Sequence, residues 1–273
     1  MIYVVPSLKA KEKLQCEGKA WAESQGFAYV PRGKRTIQDL MDEYGEDFLV
    51  YSSRGPQIDR PEGSHFFSLN MAELRIQNLR KGQRDHLLEA LMGVKEYDLR
   101  PAAAQPPISV LDCTCGFGAD AAVASFGLPA GSRVDALEVS PLLEAVTAWG
   151  FSHFVHKKDD VTAALRRISL RCSDYRDYLL SDEGPVYDVL YFDPMFQRPV
   201  EASCQFQPVR AIMEHGGLTR NLIERALQKA RRRVVIKERD FRQLCRDFPD
   251  VTLYGGKYSR IGYAVLECDS WKK

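Results

Sequence analysis

From Ile108 onward the chain alternates short apolar runs with helical stretches, and this alternation limits the fold more than any other feature. "ISVLDC", "RVDALEV", "ISLRC", "VYDVLYF" and "RVVIKE" predict strands. Between them "ADAAVASFG", "PLLEAVTAWGF", "DVTAALRR" and "LTRNLIERALQKARR" predict helices, the second opened by a proline in its first turn. Alternating strands and helices mean a parallel sheet covered on both faces. The tail "DVTLYGGKYSRIGYAVLEC" changes character, with two β-rich runs around a Gly-Gly turn region, and predicts a terminal antiparallel pair. The expected fold class is α/β: a doubly wound, mostly parallel sheet ending in an antiparallel carboxy-terminal hairpin.

Upstream, "DLRPAAAQPPIS" is rich in proline and alanine and reads as a linker. Before it, "IYVVPS", "FAYVPRG" and "DFLVYSS" predict short strands separated by the helical stretches "SLKAKEKLQCEGKAWAESQG" and "TIQDLMDEYG". "HFFSLNMAELRIQ" is expected to continue as strands, and "GQRDHLLEALMG" to form a helix on the face of Leu87, Leu88 and Leu91. The expected organisation is a small mixed α/β domain over 1–64, a connecting segment over 65–107 and a ligand-binding domain over 108–273. A chain of 273 residues is long enough for this arrangement.

Composition excludes several classes. No run approaches the roughly 18 apolar residues that span a bilayer, and the opening lacks the apolar core of a signal peptide, so a cytoplasmic protein with no membrane partner is expected. Seven cysteines with no CxxC pair fit reduced thiols rather than a disulfide framework or a zinc site. His153 and His156 have no evident third partner, and no metal is expected. A net charge of +1 excludes a global polycation and leaves room for a local basic surface.

In an open α/β sheet, ligands bind beyond the carboxyl ends of the strands. The first of these strands runs into "DCTCGFGAD", where Gly116 and Gly118 bring the backbone close to a ligand at a helix start. The second ends at Glu138, about twenty residues on, where an acid can accept from both hydroxyls of a ribose. That spacing serves a nicotinamide dinucleotide or S-adenosylmethionine. Two features favour the latter. The third glycine of a dinucleotide fingerprint is replaced by Ala121, and Asp112 with Asp120 places negative charge where a pyrophosphate would be repelled and a methionine ammonium attracted. Ser173 and Asp174, after the third strand, are candidates for the adenine edge or, equally, for a helix cap.

The fourth strand ends in "YFDPMF". A methyltransferase acting on a flat amine-bearing base needs acceptors for the amino hydrogens, a stacking surface and an aligned donor. Asp193 and the Pro194 carbonyl are the candidate acceptors, and Phe196 the stacking ring. Cys204 raises covalent attack on a pyrimidine carbon as an alternative, which Phe196 disfavours. Of the basic clusters, Lys81 and Arg84 are the best candidates for gripping RNA phosphates.

The ordered set "LDCTCGFGADA", "LEVSP", "CSD", "YFDPMF" and "VVIKERDF" resembles the class I S-adenosylmethionine methyltransferases, and within them the RsmJ family of small-subunit ribosomal RNA guanine methyltransferases. The resemblance spans about residues 65–267, and "RKGQRDHLLEAL" looks like that family's entry to the methyltransferase domain. It implies a seven-stranded Rossmann-like sheet, S-adenosylmethionine as cofactor, and methylation of a guanine exocyclic amino group in ribosomal RNA. Carried over by motif, the cofactor contacts fall on Ala119 and Asp120, Glu138 and Val139, Ser173 and Asp174, and Asp193. Departures fall at Ala119 and in "EVSP", where the family tends to carry arginine, and these leave the target nucleotide open. A methyltransferase for a small-molecule or protein amine, and a non-catalytic RNA-binding relative, stand as alternatives. Oligomeric state is not legible.

Overall fold

The computed structural model describes residues 1–94, 105–194, 217–255 and 261–271. Two compact units emerge, one built from Met1–Ser68 together with Ser140–Phe154, the other from Leu69–Val139 and the described residues from Val155 onward. The linker stretch lies mostly outside the described residues.

In the first unit, β1 (Tyr3–Pro6), β2 (Ala28–Tyr29), β3 (Phe48–Ser52), β4 (Gly55–Arg60) and β5 (Gly63–Phe66) form one sheet in the order β2-β1-β3-β4-β5. β1 runs parallel to β2 and β3, and β4 and β5 return antiparallel. Period-two alternation divides its core. Val4 and Tyr51 pack with Ala22 of α1 (Glu12–Ser24), while Val5, Phe48 and Val50 pack with Leu40 of α2 (Ile37–Tyr44). Thr36 and Asp39 start α2 with a reciprocal capping box, Asp39 Oδ2 accepting from the Thr36 amide at 2.7 Å.

The second unit opens with α3 (Asn70–Arg80) and α4 (His86–Met92). β6 (Ser109–Asp112), α5 (Ala119–Gly127) and β7 (Arg133–Glu138) follow, after which α6 (Pro141–His153) contributes to the first unit. The chain then continues through α7 (Asp159–Arg166), β8 (Ile168–Cys172), α8 (Tyr175–Leu180), β9 (Val189–Phe192), α9 (Arg220–Lys229), β10 (Arg233–Glu238), α10 (Arg242–Asp247), β11 (Thr252–Gly255), β12 (Gly262–Glu267) and α11 (Cys268–Trp271). The seven strands lie in the order β11-β12-β10-β9-β6-β7-β8. β8, β7, β6, β9 and β10 are parallel, and β12 is antiparallel to both β10 and β11. The α/β class, the doubly wound sheet and the terminal antiparallel pair are as expected from the alternation.

One expectation fails. The stretch predicted to continue as strands keeps strand only to Phe66, and Asn70–Arg80 is helix. Buried Ala72, Ile76 and Leu79 recur at helical spacing, and this face outweighs the local β propensity. Strand β4 also escaped the pattern, because "GPQIDR" opens on Gly-Pro and is buried at every position, charged residues included.

One face of the large sheet packs Leu111, Leu137, Leu190, Phe192, Val234 and Ile236 against α8 and α9. α5 covers the other face, and its last residue, Gly127, is there for space: an added Cβ would stand 2.3 Å from Leu88 Cδ1 of α4. No helix among the described residues is long and apolar enough to cross a membrane.

Candidate active site

Strand order reverses between β6 and β9: the chain moves outward through β7 and β8, then crosses back to place β9 and β10 on the other side of β6. In open α/β sheets such a reversal point, outside the carboxyl ends of the strands, is where ligands bind. The glycine turn occupies this point. Gly116 and Gly118 adopt φ of +54° and +75°, the left-handed region that glycine enters without penalty. Among the described residues, only the Thr114 carbonyl comes within 4.0 Å of where a Gly116 Cβ would be. Glu138, buried at the end of β7, accepts from the Gly116 amide at 2.8 Å through Oε2.

β6 and β9 are tied at the same level. The Asp193 amide donates to Thr114 Oγ1 at 2.7 Å, and the Thr114 amide donates to Asp112 Oδ1 at 3.1 Å. Asp112 is 2% exposed, and burial raises its carboxyl well above the usual range, toward the neutral form. In that form its attraction for an ammonium is weaker than the expectation assumed.

On the face covered by α3 to α5, the strand ends carry a connected set of charges. The parallel register sets Ile236 opposite Phe192, so Lys237 lies level with Asp193. Lys237 Nζ donates to Asp193 Oδ2 at 2.7 Å and to Asp120 Oδ2 at 2.8 Å. Tyr191 donates its hydroxyl to the same Asp120 oxygen at 2.7 Å, and Arg75 of α3 pairs with the other. Arg75 also grips Asp85, the cap of α4, through two bonds of 2.8 Å. Despite burial, Lys237 and Arg75 hold Asp120 well below the usual carboxylate range. Asp193 goes the other way. Burial is the main cause and Asp120 a further one, with Lys237 opposing, and the result is a carboxyl raised to about 6.

This shift has a stability consequence. A carboxyl that titrates near 4 unfolded and about 6 folded favours the folded state below the lower value and loses that contribution as pH rises through the higher one. Asp193→Asn removes the titration, so its melting temperature relative to the parent chain is expected to climb between pH 4 and pH 7. A pH-independent difference in paired thermal melts would contradict the assignment.

The other predicted residues fall as follows. Ala119 begins α5, next to Gly118 at its cap, and Val139 follows Glu138, with its carbonyl 3.9 Å from Cys172 Sγ. Ser173 donates its amide to the Glu138 carbonyl at 3.0 Å, which binds the β7 and β8 ends together. Asp174 caps α8, accepting from the Arg176 amide at 2.8 Å, and also pairs with the Arg176 guanidinium. Pro194 follows Asp193 half-buried, whereas Phe196 and Cys204 lie outside the described residues. Arg80 pairs with Asp160 and stands over Phe126 in the last turn of α5, at the other end of that helix from the glycine turn, and Lys81 follows it. Arg84 instead adjoins Asp85 and pairs with buried Glu89. His156 Nε2 lies 3.2 Å from Glu73 Oε2, and among the described residues no group of three or more His, Cys, Asp or Glu could hold a metal.

Sequence reasoning overlooked Lys237, Arg75 and Tyr191. Lys237 is next to last in a predicted strand whose end lies at the ligand edge, by the same logic that singled out Glu138 and Asp193, so a signal was available. Arg75 lay in a stretch read as strand, and nothing local points it at Asp120.

The set suits a cationic, ribose-bearing ligand: a glycine turn at a helix start, a buried carboxylate beside it, and acidic groups at neighbouring strand ends. The SAM-dependent methyltransferase family matches the chain over residues 73–261. The uncharacterized protein YpiP of Bacillus subtilis is 28% identical over 236 residues, covering 86% of this chain and 88% of its own. Ribosomal RNA small subunit methyltransferase J of Dechloromonas aromatica is 27% identical, over 73% of this chain and 76% of its own. The crystal structure of the SAM-dependent methyltransferase NGO1261 from Neisseria gonorrhoeae shares the fold, with a TM-score of 0.62 at 17% identity, covering 97% of this chain and 95% of that one. With its seven-stranded sheet, its glycine turn and S-adenosylmethionine as cofactor, the chain belongs to the class I SAM-dependent methyltransferases and is RsmJ-like.

Proposed function

We propose that the chain methylates the exocyclic amino group of a guanine in ribosomal RNA. The observation that carries this reading is the position of Asp193, a carboxylate at the β9 end whose own amide is bonded to Thr114 of the glycine turn. An acceptor there lies beside the turn that would hold the methyl donor. Glu138 would take the cofactor ribose, and Asp112, Ala119, Asp120, Val139, Ser173 and Asp174 would surround the rest of the cofactor or support its walls. Bound S-adenosylmethionine supplies an electrophilic methyl group.

The amino group of guanine is a poor nucleophile because its lone pair is delocalised into the ring. Hydrogen bonds from its N–H groups to Asp193 and to the Pro194 carbonyl would favour a pyramidal nitrogen and stabilise the positive charge that grows on it. Phe196 would stack the base. Arg84, exposed beside the α4 cap, would meet a phosphate of the incoming strand, with Lys81 farther along the same path. Relatives named ribosomal RNA small subunit methyltransferase J, at 27% and 30% identity, support the substrate class. Action on such a substrate would set the work in the cytoplasm.

Mapping of base methylation in ribosomal RNA from cells with and without the gene tests this directly. One guanine is expected to lose its N2-methyl group in the deletion and regain it when purified protein and S-adenosylmethionine are added. Identical maps, with turnover of a small amine instead, would overturn the substrate and keep the reaction class.

A further inference from the structure

We propose that Lys237 is a positioning residue for methyl transfer: its ammonium, bridging Asp120 and Asp193, holds the Asp193 carboxylate in place as the anion that receives the target amine. The proposal rests on the reading of Asp193 given above and deepens it.

The geometry is specific. Two carboxylates from different elements, α5 and the β9 end, converge on one Nζ at 2.8 and 2.7 Å. Lys237 is 16% exposed and Asp120 10%, so this part of the set is sheltered from water, while Asp193 at 29% is the member that opens outward. Asp120 is fixed from three sides, by Lys237, Tyr191 and Arg75. Lys237 is therefore anchored on its inner side and presents the remainder of its charge to Asp193. A simple surface pair would have neither the second carboxylate nor the hydroxyl and guanidinium behind it.

Charge accounting gives the bridge its chemical role. Asp193 is faced by Lys237 and Glu238 of β10, Asp120 of α5, Asp112 of β6 and Tyr191 of β9. Tyr263 of β12 also faces Lys237, and Arg75 of α3 pairs with the same Asp120. Among the described residues Lys237 is the cation bonded to Asp193, and without it burial and the neighbouring acids would push Asp193 toward its neutral form, which binds an N–H group less well.

In the transfer, the amine lone pair forms a bond to the methyl carbon, and the carbon–sulfur bond breaks with its electrons left on sulfur. The methylated nitrogen then carries a positive charge and one proton too many. That proton passes to the Asp193 carboxylate and from there to water, which leaves a neutral methylamine and restores the anion. Lys237 keeps Asp193 weakly basic, able to take the proton and to release it near neutral pH.

The test reads Asp193 directly, by carbon-13 NMR titration of its carboxyl in protein free of RNA and cofactor. Lys237→Met is expected to raise the titration midpoint by at least about one unit, and Lys237→Arg to return it toward the parent value. Should the methionine variant fail to fold, Asp120→Asn serves: it frees the ammonium from its competing carboxylate, and the Asp193 midpoint is expected to fall. With RNA present, the acid limb of the rate profile moves with the midpoint, upward in Lys237→Met. An unmoved midpoint in folded Lys237→Met, or a rise in Asp120→Asn, would overturn the proposal. Because the titration needs no substrate, it stands or falls separately from the ribosomal RNA map.

Discussion

Asp193→Ala is expected to lower methyl-transfer turnover by about 10³-fold, the scale seen when a preorganised group facing developing charge is removed. The loss should fall on turnover. Cofactor affinity, measured by calorimetry, should stay within several-fold, because the glycine turn and Glu138 are untouched. The variant should also fold at neutral pH: Lys237 keeps Asp120 as a partner, and a carboxyl whose buried anion is disfavoured has been removed. A folded, cofactor-binding protein with low activity is the signature of a group that acts on the target amine. Unchanged turnover would remove Asp193 from the mechanism, and a lost cofactor affinity would reassign it to the donor side.

The second large effect concerns stability. Among the described residues, Asp120→Ala leaves Lys237 with one carboxylate, takes from Tyr191 the acceptor of its hydroxyl and leaves Arg75 paired with Asp85. Breaking a buried ion pair from one side costs about 3–5 kcal/mol, and the partial exposure of Arg75 argues for the lower end. Denaturation in urea at pH 7 would show it as a lower midpoint with an unchanged slope. The sign with pH follows from the depressed Asp120 titration. A carboxylate held below its unfolded value contributes stability above that value and loses it only as pH falls through the folded one, so the deficit should persist through mild acid and narrow in strong acid. A variant as stable as its parent would mean that Arg75 and Lys237 are satisfied without Asp120.

How far these groups were legible before the fold was known depends on the range of the interaction. Each strand from β6 to β10 announces itself through apolar runs of a few residues, and the glycine turn, Glu138 and Asp193 follow from where such runs stop. Those are local signals. The bonds from Lys237 to Asp193 and Asp120 join positions 44 and 117 residues apart, and that from Arg75 to Asp120 spans 45. A lone lysine at a strand end or an arginine in a helix looks like solvated charge until the register places its partner. Tyr191 was hidden differently: in an apolar run its ring accounts for its burial, and nothing local shows that its hydroxyl has an acceptor. The helix α3 was misread because its apolar face is short and follows directly on aromatic residues that favour strand.

The same Arg75 changes where this enzyme can be cut or joined. The proline-alanine stretch looks like a natural seam, and a fragment begun beyond it would retain every strand of the large sheet. Such a fragment would lack α3 and α4, and with them the guanidinium that neutralises Asp120 and the leucine side chains that fill the space at Gly127. Its charge balance is completed from upstream of the seam. Any transplant or gene fusion that treats the sheet as a free-standing module must therefore carry the chain from Leu69 onward, so that the counter-ion travels with the site.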